Sequence, residues 1–128
     1  MKAIRNNAGF TLIELLVVVA IIGILAAIAI PQFAAYRQRG YDAQATSDLR
    51  NAATAEEAYY ATYVQYLSCT GYSDCLAKLP GLRLADATIL IAMTDSGLGT
   101  FNGTSKSTLG SGITCHWDSS LGGFGGCS

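Results

Sequence analysis

The sequence predicts an α+β fold: a long, kinked N-terminal helix whose distal half carries a small antiparallel sheet. Three observations lead there. Residues Phe10–Ile30 are apolar except for Thr11, Glu14 and Gly23, and such a run is about long enough to cross a bilayer as a helix. Residues 32–63 contain no proline, one glycine (Gly40) and many alanines. Residues 88–118 hold three short β-branched or alternating segments set among Gly, Ser and Thr, which is how small strands read.

The bulk properties narrow the field further. A chain of 128 residues has room for one folded domain. Its charged fraction is 13% and its hydrophobic fraction 51%, where a soluble domain carries about a quarter charged residues. The apolar residues crowd towards one end and Gly, Ser and Thr fill residues 95–128, so an evenly mixed globular domain is excluded. Eight basic and nine acidic groups give a net charge of −1. Without Lys2 and Arg5 the count is 6 against 9, or −3. No basic patch of the kind a nucleic-acid binder needs is present.

Taken in order, Met1–Gly9 is a short, polar, basic leader with no apolar core of its own, unlike an ordinary secretory signal peptide. The apolar stretch 10–31 follows, read as a transmembrane helix. Pro31 removes a backbone donor and disfavours helix in the residue before it; because the helical pattern resumes afterwards, it is read as a kink. Residues 32–66 form the amphipathic half. Tyr41, Ala45, Leu49, Ala52, Tyr59 and Tyr63 recur at intervals of three, four and seven along one face. Arg37, Arg39, Asp42, Asp48, Arg50, Glu56 and Glu57 are assigned to the polar surface around that face. A helix from Phe10 to Tyr63 would be roughly 80 Å long at 1.5 Å per residue.

Residues 67–128 form the head. Leu67–Pro80 reads as a loop with a helical turn at Asp74–Leu79. Thr88–Thr94, Thr100–Ser105 and Ile113–Asp118 read as three strands, and Leu121–Ser128 as a loop that Cys127 alone pins. Four cysteines, Cys69, Cys75, Cys115 and Cys127, all lie in this half. An even count in a small glycine-rich region fits disulfides formed outside the cytoplasm. Three pairings are open; joining sequence neighbours, Cys69–Cys75 and Cys115–Cys127, closes the shortest loops. A zinc site is the rival reading, but Cys-x5-Cys and Cys-x11-Cys do not match zinc-ligand spacing, so no metal and no cofactor are expected.

At Gly9-Phe10-Thr11-Leu12-Ile13-Glu14, continuing through Pro31-Gln-Phe-Ala-Ala-Tyr36, the chain resembles the type IV pilin and pseudopilin family, and within it the type IVa-like major prepilins. The resemblance implies cleavage between Gly9 and Phe10 by a membrane prepilin peptidase and N-methylation of Phe10. It implies an inner-membrane precursor, handled by an assembly platform and its ATPases, that polymerises with copies of itself into an extracellular pilus. Phe10 and Glu14 are then the assembly residues, the acid meeting the amine of a neighbouring subunit. A carboxylate inside an apolar span costs a few kcal/mol and so has a partner or a role. A second role is compatible, since Thr11-x-x-Glu14 has capping-box spacing. The Cys115–Cys127 segment resembles the disulfide-bounded region that many pilins expose.

Other signals weigh less. Phe10, Phe33, Tyr36, Tyr41, Tyr59, Tyr60, Tyr63 and Tyr66 resemble the aromatic placement of short pilins proposed to conduct electrons, but aromatics also serve simple packing. Lys2 and Arg5 before the span are balanced by Arg37 and Arg39 after it, so charge does not fix membrane orientation. His116 has Cys115 and Asp118 near it, but strand neighbours point to opposite faces and make no catalytic dyad. No phosphate loop or hydrolase motif occurs. The expected function is a structural pilus subunit serving adhesion, twitching motility or DNA uptake. A secretion pseudopilin and a conductive fibre are the alternatives, and no enzymatic activity is expected.

Overall fold

Thr11 starts the first helix by closing a reciprocal box with Glu14: the Glu14 Oε2 accepts from the Thr11 N–H at 2.8 Å and from its hydroxyl at 2.7 Å, and Thr11 Oγ1 accepts from the Glu14 N–H at 3.3 Å. Donors that a helix start leaves unpaired are satisfied this way. A computed structural model of the chain describes Gly9–Ser128; the leader residues Met1–Ala8, with Lys2 and Arg5, lie outside the described residues.

Helix α1 spans Leu12–Tyr63 and is assigned as helix through Pro31. It ends at Val64, whose φ of 56° is left-handed and whose N–H returns to the Tyr60 carbonyl at 2.8 Å. The chain forms two units, one ending at Ala34 and one comprising Ala35–Ser128. In the first, every side chain of the apolar run is exposed except that of Ala26, which is half-covered.

The second unit packs a sheet on the later turns of α1. After β1 (Cys69–Thr70), helix α2 spans Tyr72–Lys78, followed by β2 (Ile89–Gly97), β3 (Thr100–Ser107), β4 (Cys115–Asp118) and β5 (Gly123–Cys127). The strands lie in chain order β1-β2-β3-β4-β5 and all neighbours are antiparallel. This is the α+β architecture the sequence predicts, with more strand than expected. Gly123–Cys127, expected as loop, is an edge strand because Cys115 pairs with Cys127 and Trp117 with Phe124 across β4. The Thr114 and Ser128 backbones extend that ladder at 2.9 and 3.0 Å. Leu67–Pro80, expected as loop with one helical turn, holds β1 as well as α2.

Alternation along β2 and β3 sends Ile89, Ile91 and Met93 inward with Phe101, Ser105 and Ser107. They meet Leu49, Ala52 and Ala53 of α1, with Tyr66, Cys75 and Leu79 closing the side. Gly103 faces Leu49 across this contact. A Cβ there would fall 2.7 Å from the Met93 sulfur and 3.0 Å from Leu49 Cδ1, so glycine sets how closely β3 approaches the helix.

The helix face differs from expectation in one respect. Ala45, Leu49 and Ala52 are buried as expected, but Tyr63 is 59% exposed and Tyr41 and Tyr59 are half-buried. Asp42, Asp48 and Glu56, assigned to the polar surface, are buried instead.

Candidate assembly helix and its head

The exposed face of the first unit is the main candidate surface. Phe10 is 84% exposed, and Gly9 before it is exposed with no atom within 4 Å of a built Cβ. From Leu12 the helix is long and apolar enough to cross a membrane, and none of its most apolar stretch is buried. Among these side chains Glu14 is the single ionisable group, and its Oε2 is turned back onto Thr11. An apolar face this extensive marks a membrane or protein contact. Pro31, lacking an N–H, leaves the carbonyl one turn back without its usual donor.

In the second unit the buried carboxylates anchor the crossing loops to α1. Asp42 accepts from the Ser111 N–H at 3.1 Å and from its hydroxyl at 2.6 Å. Asp48 accepts from the Ala85 N–H at 2.9 Å and from Gln44 at 3.3 Å. Glu56 accepts from the Leu67 N–H at 3.0 Å, while its other oxygen is buried with no hydrogen-bond partner. Burial away from water raises the Glu56 pKa, the Leu67 bond opposes this, and repulsion from Asp95 and Glu57 adds to it. The signal for all three was present in the sequence: 42, 45, 49, 52 and 56 follow the three-four spacing of the apolar face, and 48 lies three residues after Ala45 and four before Ala52. Charge alone had sent them to the surface.

The cysteines are bonded as Cys69–Cys75 and Cys115–Cys127. The first bond ties β1 to α2 inside the core. The second joins β4 to the edge strand, and Thr46 Oγ1 of α1 lies 3.3 Å from the Cys115 sulfur. The aromatics divide by position. Tyr66 stacks on Tyr60 at 4.5 Å and tilts against buried Phe101 at 4.6 Å, while Phe33, Tyr36 and Tyr63 are exposed. Tyr66 also donates to the Glu57 carboxylate at 3.3 Å. His116 is an exposed residue of β4 opposite Thr104 and Gly126, and no group of residues suited to hold a metal occurs among the described residues.

Residues 4–30 match the family model of the prokaryotic N-terminal methylation motif. Over 85 residues it is 48% identical to the type IV major pilin protein PilA of Myxococcus xanthus, covering 64% of this chain and 39% of the relative. Over 64 residues it is 48% identical to the type IV wide pilus major component PilA4 of Thermus thermophilus, covering 50% of this chain and 49% of the relative. It is also 37% identical over 76 residues to the type II secretion system core protein G of Pseudomonas aeruginosa, covering 59% of this chain and 54% of the relative. The chain is thus similar to type IV major pilins over its N-terminal portion, and it spans less than half the length of the two pilins it matches.

Proposed function

We propose that the chain is a prepilin, cut between Gly9 and Phe10, methylated at Phe10 and polymerised through α1 into an extracellular type IV pilus. The observation that carries this reading is the apolar run at the start of α1, with no buried side chain and one carboxylate, Glu14, four residues after the proposed new N-terminus. Before assembly the helix rests in the inner membrane, where its backbone groups pair within the helix except at its ends and at the carbonyl that Pro31 leaves without a donor. On assembly it exchanges lipid for neighbouring helices, and the small side chains Ala20, Gly23, Ala26 and Ala27 allow close approach. The Glu14 carboxylate then meets the Phe10 amine of a neighbour, removing two charges from an apolar bundle. A prepilin peptidase, an assembly platform and its ATPases are the partners this requires. Adhesion, twitching motility and DNA uptake are the roles such a fibre serves.

The pseudopilin alternative draws support from the similarity to the secretion core protein. The disulfide-closed edge of the head favours the pilus. Filaments sheared from intact cells, analysed by N-terminal sequencing and intact mass, test the proposal. A chain beginning at methylated Phe10 in bulk fibre is the expected result. Correct processing with no protein in sheared fibre would replace the pilus by a periplasmic pseudopilus, and retention of Met1–Gly9 in assembled material would overturn the processing step.

A further inference from the structure

The second unit carries charge that its own side chains do not neutralise. Among the described residues the one ion pair is Lys78–Asp74, at 3.1 Å. Near the end of α1 three carboxylates gather. Glu57 is exposed on the helix, Asp95 is exposed on β2, and both act repulsively on Glu56, whose second oxygen is buried without a donor. The groups facing them are Tyr66, which reaches Glu57 through its hydroxyl, and the Gly97 N–H, which donates to Asp95 at 2.8 Å. No cation is among them.

Twenty residues earlier, Arg37 is exposed and its guanidinium donates only to the Tyr41 hydroxyl, at 3.1 Å. Asp86 lines the same cleft, but its carboxylate is bound by Thr88 and forms no ion pair with the arginine. Arg37 and Glu57 cannot meet within one chain, because 20 helical residues separate them by about 30 Å. Their directions matter as much as their separation. At roughly 100° per residue they lie about 200° apart around the axis, on opposite flanks of the face that packs on the sheet. Two parallel helices side by side present opposite flanks to each other.

We propose that Arg37 of one copy pairs with the Glu57 and Asp95 carboxylates of a second copy lying beside it, parallel and displaced by about 30 Å along the helix axis towards the N-terminal end. The contact is heterologous: each copy offers a cation at one level and a carboxylate pair at the other, so it repeats without closing and specifies an open filament. The inference rests on the fibre-forming reading and adds to it a definite stagger between neighbouring heads. Arg39 and Arg50 lie on the Glu57 flank, and Arg50 is occupied over the Phe124 ring at 4.9 Å, so neither can take the place of Arg37 in this arrangement.

The test is charge reversal in the full-length chain, with sheared fibre yield read against the amount of subunit held in membranes. Arg37→Glu and Glu57→Arg each place like charges together and are expected to lower fibre yield about tenfold at unchanged subunit level. The double variant R37E/E57R is expected to restore it. Normal fibre from either single variant overturns the pairing while leaving the pilus reading intact. Failure of the double variant to recover also overturns it, and points to another occupant of the carboxylates, such as a divalent cation. Absence of fibre from the unaltered chain would remove both readings together.

Discussion

Gly110 sits where a methyl group has nowhere to go. A Cβ built on it falls 2.0 Å from Asp42 Oδ1 and 3.3 Å from Ser107 Cβ, so Gly110→Ala must push the Asp42 carboxylate away from Ser111. Three contacts are at stake, the Ser111 N–H to both oxygens at 3.1 and 3.3 Å and the Ser111 hydroxyl at 2.6 Å. Bonds to a charged acceptor are worth about 1.5–3 kcal/mol each. Ser111 is exposed and water can substitute for part of this, leaving a loss of about 2 kcal/mol. Against it stands the gain from stiffening the unfolded chain, about 0.4–1 kcal/mol for glycine to alanine at an unstrained position. The clash wins, for a net destabilisation of about 1–2 kcal/mol. Urea unfolding followed by the fluorescence of Trp117, the one tryptophan, measures it with both disulfides intact. In an Asp42→Ala background the same substitution costs nothing or stabilises, because the carboxylate is gone; that coupling is the signature of direct contact. A Gly110→Ala chain as stable as the parent would refute the assignment of Asp42 as the anchor of this loop.

Other substitutions probe the turns, the bridges and the buried acid. Leu98 is fully exposed with φ of 54°, followed by Gly99 at 73°, in the two-residue link between β2 and β3. That turn favours Asn-Gly, so Leu98→Asn is expected to raise stability by about 1 kcal/mol; a lower denaturation midpoint would contradict it. Under mild native reduction the Cys115–Cys127 bond opens before Cys69–Cys75, since Cys127 is exposed while Cys69 and Cys75 are buried. Timed alkylation with mass mapping checks the order. For pH, the Glu56 carboxyl is raised above its ordinary value of 4.5 by burial, so its ionised form opposes folding at neutral pH. Stability therefore rises as pH falls through the raised value towards 4.5. Asp74, Asp86 and Asp118 are held below 3.8 by hydrogen bonds from Thr70, Thr88 and Ser120, so their contribution is present above 3.8 and lost as pH falls beneath it. A maximum between these windows is expected, and Glu56→Gln should abolish the rise on its neutral side. An unchanged rise in that variant would show that another group causes it.

Legibility in the sequence followed the strength of each local signal. The apolar run and the three-four spacing around Leu49 announced α1, because burial periodicity over many turns outweighs single residues. The strands β2 and β3 were visible in Thr88–Thr94 and Thr100–Ser105, where β-branched and alternating residues meet turn glycines. The edge strand β5 was not, since Gly123, Gly125 and Gly126 carry no strand propensity. What holds that segment is pairing with Cys115 and Trp117 across the sheet, a tertiary cause with no local signature. The loop anchors failed differently. Asp42, Asp48 and Glu56 stand on the buried face, and reading their charge before their spacing sent them outward.

The two kinds of carboxylate on α1 follow from one rule. A buried ionised group persists only where donors meet it, and the helix meets that demand in two ways. Asp42 and Asp48 are satisfied within the second unit, by the backbone N–H groups of Ser111 and Ala85, 69 and 37 residues further along the chain, so they fix where the loops cross. Glu14 has only Thr11 beside it and otherwise stands on bare apolar surface. It therefore retains acceptor capacity that a neighbour's amine can use. On this reading Asp42→Ala loosens the head and leaves the N-terminal contact alone. Glu14→Ala leaves head stability unchanged, as followed by Trp117 fluorescence, while sheared fibre disappears. If Glu14→Ala instead lowered the unfolding midpoint of the head, the separation of roles argued from these hydrogen bonds would be wrong.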